Sequence, residues 1–179
     1  MLFRSLLNDL DQIARLERGE IVLTKEAFVI QELIQEVYES KIAKAEEKQI
    51  GCRIKKESES PVIVFADREK MRQVLTNLVS NAIKYGKQGG EVVASVYKTD
   101  GKRILVEITD DGVGISEAEL PRVFERFYRT EAGRSMDLTG SGLGLSICKH
   151  ILEAHGQSIH VRSTENVGTT IGFTLDATE

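Results

Sequence analysis

The chain has 179 residues, of which 41% are hydrophobic and 29% are charged, and its formal net charge is −4 at pH 7. These values predict one soluble globular domain, and they exclude a disordered chain, a general nucleic-acid binder and a bilayer-spanning protein. The N-terminus lacks a signal-peptide pattern, and Cys52 and Cys148 lack metal-ligand spacing. We therefore expect a cytoplasmic chain with two buried thiols and no membrane contact of its own.

The first third of the chain predicts two amphipathic helices followed by two strands. An apolar stripe with spacings of three and four residues ends at Gly19, a pattern typical of a helix that stops at a glycine. A second helical pattern covers residues 29–50, and strand-like runs follow at 52–57 and 61–66. The stripe of the first helix consists of Leu6, Leu10, Ile13 and Leu16.

The rest of the chain combines two helices with two hairpins. Asp67 is the expected N-cap of a long helix over 67–86. Alternating runs at 90–98 and 102–110 predict a hairpin through Thr-Asp-Gly, and a glycine-rich segment later opens another helix. The last expected strands are 157–163 and 169–175. Helices interspersed with hairpins predict an α+β two-layer sandwich, with helices on one face of a mixed, mostly antiparallel sheet.

The long helix carries an unusual polar face. Asn77, Asn81 and Lys84 stand at i, i+4 and i+7, opposite an aliphatic stripe. Each asparagine costs roughly 0.6 kcal/mol relative to alanine in a helix interior, so the pair calls for a reason. Amide oxygens suit Mg²⁺, and an ammonium group one turn further on suits phosphate oxygens. Two surface amides beside a surface lysine remain the alternative interpretation of this pattern.

A second candidate element follows the strand at 102–110. The segment "DDGVGI" places Asp110, Gly112 and Gly114 where a strand ends and ligand-holding loops are common. A carboxylate at Asp110 can accept from the exocyclic amine of adenine, whereas the carbonyl oxygen of guanine would oppose it at a cost of roughly 1–3 kcal/mol. An ordinary Asp-Gly turn is the alternative.

The third element is the glycine run "GSGLG" at 140–144. It is neither a Walker loop nor a dinucleotide fingerprint, because no Lys-Ser or Lys-Thr follows it and its glycines have the wrong spacing. It still opens a helix, whose free amides and dipole favour an anion. The preceding segment 126–139 has little periodicity, so we expect it to be a mobile lid.

Taken together, these segments carry a family resemblance over essentially the whole chain. "NLVSNAIKY", "DDGVGI", "VFERFYR" and "GSGLGLSICKHILEAHG" resemble the N box, the two glycine boxes and the phenylalanine-containing box of bacterial sensor histidine kinases. They belong there to the catalytic ATP-binding domain, whose Bergerat fold is similar to that of gyrase, the Hsp90 chaperone and MutL. The resemblance implies ATP and Mg²⁺ as cofactors and transfer of the γ-phosphoryl group to a histidine in two-component signalling.

The resemblance also assigns roles to individual residues. Asn81 would ligate Mg²⁺, and Asn77 and Lys84 would approach the phosphates, so these three form the implied catalytic set. Tyr85 would lie against the nucleotide, and Asp110 would hold the adenine amine. The remaining implied nucleotide-binding residues shape the adenine pocket, border the lid or cap the phosphates: Gly112, Gly114, Thr169, Tyr128, Arg129, Gly140, Ser141, Gly142, Leu143 and Gly144.

Kinases of this family phosphorylate a histidine in a helical hairpin that precedes the catalytic domain, and no His-Glu context is present here. His150, His155 and His160 are therefore expected to be structural. Residues 1–19 resemble the end of the hairpin's second helix, whose apolar stripe would lack its natural partner, and 20–179 would be the catalytic ATP-binding domain. The implied partners are ATP and ADP, the absent hairpin, a response regulator and a second copy in a homodimeric parent, either soluble or membrane-anchored.

Three alternative functions fit parts of the pattern. A gyrase-like or chaperone-like ATPase carries glutamate at the position of Asn77 to activate water, and an amide cannot serve as that base. A nucleotide-binding regulatory module without transferase activity is disfavoured by the intact boxes. A serine-directed regulatory kinase is disfavoured by the resemblance of the N-terminal segment to a hairpin helix.

Overall fold

The computed structural model describes residues 2–99 and 101–178. The predicted hairpin connection at Asp100 and the two ends of the expected domains, Met1 and Glu179, lie outside the described residues. The helices are α1 (Leu2–Glu17), α2 (Ile30–Glu47), α3 (Arg68–Tyr85), α4 (Glu131–Met136) and α5 (Gly144–Ala154). The strands are β1 (Lys25–Val29), β2 (Gly51–Ile54), β3 (Ile63–Asp67), β4 (Glu91–Lys98), β5 (Arg103–Asp110), β6 (Ile159–Thr164) and β7 (Gly168–Ala177).

The strands form one seven-stranded sheet in the order β1-β3-β7-β5-β4-β2, with β6 also paired to β7. The β2–β4 pair is parallel and the other described pairs are antiparallel. One face is buried beneath the helices, whereas Ile63 and Phe65 on the other face are each 46% exposed. The structure thus confirms the predicted α+β sandwich with a mixed, mostly antiparallel sheet.

Helix α3 lies at the centre of the helical layer. The Asp67 carboxylate accepts a hydrogen bond from the Lys70 amide at 3.1 Å, which confirms the predicted N-cap. The aliphatic side of α3 packs against α2, α5 and β5, and this burial fixes which side faces away from the core. The buried stripe consists of Met71, Val74, Leu75, Leu78 and Ala82.

The structure differs from the sequence-based expectation at three elements. Strand β1 was not predicted, because "KEAFV" has little alternation and runs directly into α2. The strand expected at 52–57 ends at Ile54, where a single 3₁₀ turn brings the Ser58 hydroxyl to the Val96 amide. The expected lid contains the six-residue α4, which is too short to show helical periodicity in sequence.

Helix α1 packs against the rest of the chain. Ile13 and Leu16 join the core, and Leu6 and Leu10 pack on it through contacts of α1 with α5. In the chain by itself this stripe is thus covered by α5. A different set of apolar side chains on α1 is exposed: Leu2, Phe3 and Leu7.

Two further expectations concern membrane spans and cysteines. Within 2–99 and 101–178, no helix combines the length and apolarity that crossing a bilayer requires. Both cysteines are free; Cys148 is fully buried and Cys52 is half-buried. Burial raises the pKa of the Cys148 thiol to about 12, so this group stays protonated and acts as a core side chain.

One face of the sheet is buried and the other is exposed, so we expect substitutions on the two faces to lower the free energy of unfolding by different amounts. Phe173 is 0% exposed between its strand neighbours Val106 and Ile159, so Phe173→Ala leaves a cavity and should lower the free energy of unfolding by about 3–5 kcal/mol. Phe65→Ala, on the exposed face, is the matched control and should cost less than about 1 kcal/mol. Urea unfolding of both variants measures the difference, and equal losses would contradict the assignment of the two faces.

Candidate functional site

A cleft of about 320 Å³ opens between the polar face of α3, the end of β5, and the segment that leads into α5. It brings together thirteen of the fifteen site residues expected from the sequence. The cleft-lining members are Asn77, Asn81, Lys84, Tyr85, Asp110, Gly114, Tyr128, Arg129, Gly140, Ser141, Gly142, Gly144 and Thr169.

The other two expected residues lie behind the wall of the cleft. Leu143 is fully buried in the core just before α5. Gly112 is buried against the carboxyl end of α3, where a Cβ atom would come within 1.9 Å of the Tyr85 carbonyl oxygen. Only glycine permits this approach, and the neighbouring Val113 amide donates to the same oxygen at 3.1 Å. Both residues shape the cleft without lining it.

The carboxyl end of α3 is held by a lysine that the sequence did not single out. The Lys48 ammonium group donates to the carbonyl oxygens of Ile83, Lys84 and Gly86 at 2.7–3.0 Å. The last carbonyls of a helix have no partners within it, so Lys48 supplies what a local glycine cap would otherwise provide. No local pattern could reveal this, because Lys48 lies 35 or more residues from the groups it binds.

The amide face of α3 is turned into the cleft and not towards open solvent. Asn77 and Asn81 are both half-buried. The Asn77 side-chain amide points to α5, with long contacts to the Gly144 carbonyl oxygen (3.4 Å) and the Cys148 sulfur (3.7 Å). Asn81 makes no side-chain hydrogen bond to any other residue in the described part of the chain. Its amide is therefore available to a ligand in the cleft.

Asp110 is a partly buried acid in the cleft. Its carboxylate accepts the Gly112 amide at 2.9 Å and lies beside Thr169 across the β5–β7 pair. The pKa of Asp110 is raised to about 6, mainly by burial and also by the Asp111 charge; hydrogen bonds from Gly112 and Thr169 and the charge of Lys48 act in the opposite direction. At neutral pH the group is mostly ionised and can accept hydrogen bonds from a ligand.

Asp111 has a structural role beside it. Both of its carboxylate oxygens accept the Glu91 amide, at 3.1 and 3.2 Å, and the Lys87 ammonium lies 3.7 Å away. This carboxylate fastens the end of β5 to the start of β4 and does not line the cleft. The two adjacent aspartates therefore make different contacts.

The lid segment contains several internal contacts. Thr130 caps α4, and the Arg129 guanidinium donates to the carbonyl oxygens of Gly133 and Asp137. The Lys84 ammonium pairs with the Asp137 carboxylate at 2.8 Å, which joins the lid to α3. The base of the lid rests on Gly142, whose positive φ of 74° brings it against the Phe127 backbone and leaves no room for a side chain.

Among residues 2–99 and 101–178, no three histidine, cysteine or acidic side chains come together as a metal site. A magnesium ion could still fit at the amide face, because Mg²⁺ keeps several waters and needs few protein ligands when phosphates supply the rest. The free amide oxygen of Asn81 is a donor of the type that Mg²⁺ accepts.

The three histidines are placed as the sequence analysis expected. His155 caps the end of α5; its Nδ1 lies 2.8 Å from the Ile151 carbonyl oxygen and its Nε2 accepts the Asp67 amide at 3.1 Å. Both ring nitrogens are therefore occupied. His160 pairs with Gly172 on the sheet face opposite Ile159 and Val161. His150 lies between Glu17 and Glu153, each 3.7 Å away.

Residues 66–179, more than half of the chain, match the family model described as histidine kinase-, DNA gyrase B- and HSP90-like ATPase. The chain belongs to this family. The matched range contains all fifteen expected site residues.

Two curated relatives are sensor kinases. The chain is 43% identical over 113 residues to the sensor histidine kinase WalK of Bacillus subtilis, a match covering 63% of this chain and 18% of WalK. It is 35% identical over 174 residues to the sensor protein SrrB of Staphylococcus aureus, a match covering 97% of this chain and 29% of SrrB. The chain thus spans less than a third of the length of either relative.

Solved structures of histidine kinases share the fold. Full-length ShkA in complex with AMPPNP superposes with a TM-score of 0.83 and 28% identity, over 97% of this chain and 36% of ShkA. Histidine kinase ThkA in complex with the response regulator protein TrrA gives a TM-score of 0.73 and 30% identity, over 96% of this chain and 48% of ThkA.

The raised pKa of the partly buried Asp110 predicts that stability depends on pH. Its pKa is about 6 in the folded chain against an ordinary 3.8, so the unfolded chain loses this proton first as pH rises. The free energy of unfolding should therefore fall between about pH 4 and pH 6 and stay lowered above that. Asp110→Asn removes the charge and should stabilise the chain by up to about 3 kcal/mol at pH 7.5.

Urea unfolding of wild type and variant at pH 4 and pH 7.5 measures this effect. The gain should be small at pH 4, where the folded chain carries no charge on Asp110. Asp176→Asn, which removes an exposed carboxylate from the same sheet, is the control. A gain of equal size at both pH values would contradict the raised pKa.

Proposed function

We propose that this chain is the catalytic ATP-binding domain of a histidine protein kinase in two-component signalling, and that it donates the γ-phosphoryl group of Mg-ATP to a histidine outside its own 179 residues. The observation that carries the proposal is the convergence of the α3 amides, the partly buried Asp110 and the glycine-rich loop on one cleft. A hydrolytic ATPase of this family would need a carboxylate at Asn77, and an amide cannot take a proton from water.

The end of the cleft at β5 suits the adenine ring. The ionised Asp110 can accept from the exocyclic amine, and a guanine carbonyl in that place would leave two acceptors facing each other. Gly114 and Thr169 line the same end, Gly112 brings the loop against α3, and Tyr85 offers a ring. These residues hold the part of the nucleotide that ATP and ADP share.

The other end of the cleft suits the phosphates. Lys84 and Arg129 bring positive charge, and Asn77 and Asn81 bring neutral amides. The loop Gly140, Ser141, Gly142 and Gly144 leads into the amino end of α5, and Leu143 anchors that loop in the core. Mg²⁺, held by Asn81 and the phosphates, would offset charge on the transferred group. These residues fix the terminal phosphoryl group in line with an incoming nucleophile.

The nucleophile has to come from elsewhere. Both ring nitrogens of His155 are occupied, His160 lies on the exposed sheet face, and His150 lies between two glutamates on the far side of α5 from the cleft lining. We place residues 1–19 as the end of a phosphoacceptor hairpin and 20–179 as the catalytic domain. The exposed Leu2, Phe3 and Leu7 give α1 an apolar surface for the rest of that hairpin.

The relatives extend the proposal to partners. ShkA binds the adenine nucleotide AMPPNP, and ThkA forms a complex with the response regulator TrrA. We infer that the parent of this chain likewise serves a response regulator, acts as a homodimer and keeps this domain in the cytoplasm, without contact to nucleic acid. Its hairpin passes the phosphoryl group on to that regulator.

The position of Asn81 predicts a selective loss of metal-dependent binding. Asn81→Ala removes the amide oxygen that is free in the cleft and should weaken Mg-ATP affinity by about tenfold or more, because bonds to charged groups are the strong ones. Binding of ATP in EDTA should change little. Calorimetry measures both, with Asn8→Ala on the exposed side of α1 as the control. Unchanged Mg-ATP affinity would exclude this role for Asn81.

Because the three histidines have structural positions, we expect the chain to donate a phosphoryl group and not to accept one itself. Incubated with Mg²⁺ and γ-labelled ATP, the chain alone should accumulate no acid-labile phosphohistidine. A separately produced hairpin that carries the His-Glu phosphoacceptor should become labelled in trans, slowly, because tethering normally supplies a high effective concentration. The same hairpin with alanine in place of its histidine is the control. Base-stable, acid-labile label on His150, His155 or His160 would overturn the proposal.

A further inference from the structure

The lid of the nucleotide cleft contains an acid in the place where a phosphate would be expected. The Asp137 carboxylate pairs with the Lys84 ammonium at 2.8 Å. A Cβ atom on Gly140 would lie 3.0 Å from the same carboxylate and 3.1 Å from the Arg129 guanidinium. The carboxylate thus lies among the lysine, the arginine and the first glycine of the loop that the proposed function assigns to phosphate.

Asp137 is held in this position by several contacts. One carboxylate oxygen accepts the Thr139 amide at 2.9 Å and the Thr139 hydroxyl at 2.7 Å, and the other accepts from Lys84. The Arg129 guanidinium donates to the Asp137 backbone carbonyl oxygen. The hydrogen bond from Lys84 keeps the pKa of Asp137 well below its usual range, so the group stays ionised at any physiological pH.

In this arrangement the positive charge of Lys84, which a nucleotide phosphate would need, is already paired with a carboxylate. Lys84 has no other ion-pair partner in the described part of the chain, so a phosphate that approaches the ammonium competes with Asp137 for its charge. The Asp137 side chain is 15% exposed and the Lys84 side chain is 40% exposed. Water and salt therefore reach the pair, which makes it weak enough for a polyphosphate to displace.

We propose that Asp137 is an internal competitor of the nucleotide phosphates: it occupies Lys84 in the nucleotide-free lid and leaves when a polyphosphate enters. The inference rests on the proposed nucleotide site and adds to it a determinant of affinity. Competition of this kind lowers the affinity of every ligand that carries the phosphates. The affinity of a ligand that has the adenine but no phosphate is unaffected. It also makes release of the lid from α3 part of nucleotide binding.

Asp137→Asn tests the proposal with little structural change. An amide oxygen can still accept both Thr139 bonds, while the negative charge against Lys84 is lost. Calorimetry should show Mg-ATP and Mg-ADP binding about two- to fivefold tighter, the range expected for a partly exposed ion pair, with adenosine binding unchanged. The gain should shrink at high salt.

Two controls separate competition from other effects of charge. Glu131→Gln removes a carboxylate from the exposed side of α4 in the same lid, and should leave all three affinities as in wild type. In a Lys84→Gln background, Asp137→Asn should give no further gain, because the competed ammonium is gone. Circular dichroism of each variant verifies that the fold is intact.

The possible outcomes are distinct. ATP binding that Asp137→Asn leaves unchanged or weakens, relative to Glu131→Gln, overturns the competitor and leaves the proposed nucleotide site standing. Equal tightening for adenosine overturns it too, since the effect would then be general opening of the cleft. If the wild-type chain binds none of the three ligands, both the proposed function and the proposed role of Asp137 are wrong.

Discussion

The cleft depends on how the carboxyl end of α3 is satisfied. A helix leaves its last carbonyl groups without internal partners, and α3 does not end in a left-handed glycine, since Gly86 is extended at φ −65° and ψ 154°. Lys48 from the end of α2 takes three of these carbonyls, and Val113 from the loop after β5 takes a fourth. One helix end therefore joins two distant segments and sets the distance between the α3 amides and Asp110.

The loop after β5 is also hydrogen-bonded on the side away from α3. The Asn166 amide donates to the Val113 carbonyl oxygen at 2.7 Å, and the Ser163 hydroxyl accepts the Ile115 amide at 2.8 Å. The loop after β5 is thus bonded both to α3 and to the β6–β7 hairpin. The segment before α5 is held by the Arg126–Glu17 pair, by hydrogen bonds from Tyr128 and Glu131 to Glu119, and by the partly exposed Lys84–Asp137 pair. The β5 end of the cleft is therefore held largely through backbone groups, and the α5 end largely through side chains.

Sequence reasoning succeeded where a pattern is local. The amide ladder of Asn77 and Asn81 follows from helical spacing, and the N-cap at Asp67 follows from residue type. It failed where the partner lies far along the chain or the element is short. Lys48 and the carbonyls it binds are separated by 35 to 38 residues, and α4 has only six residues, so neither leaves a periodic signal. The pairing of Asp137 with Lys84 across 53 residues is of the same kind.

Two polar groups, His155 and Asp110, differ in how their side chains are satisfied within the chain. His155 is buried with both ring nitrogens bonded within the chain, and burial lowers its pKa, so it stays neutral and contributes to stability alone. Asp110 is also largely enclosed, but its charge is not compensated by an ion pair in the described part of the chain and its burial works against folding. An uncompensated acid in a cleft is stabilised best by a ligand that donates hydrogen bonds to it. A ligand in the cleft can offset the cost of enclosing the Asp110 charge. The His155 ring carries no such cost, because it is neutral and both of its nitrogens are bonded within the chain.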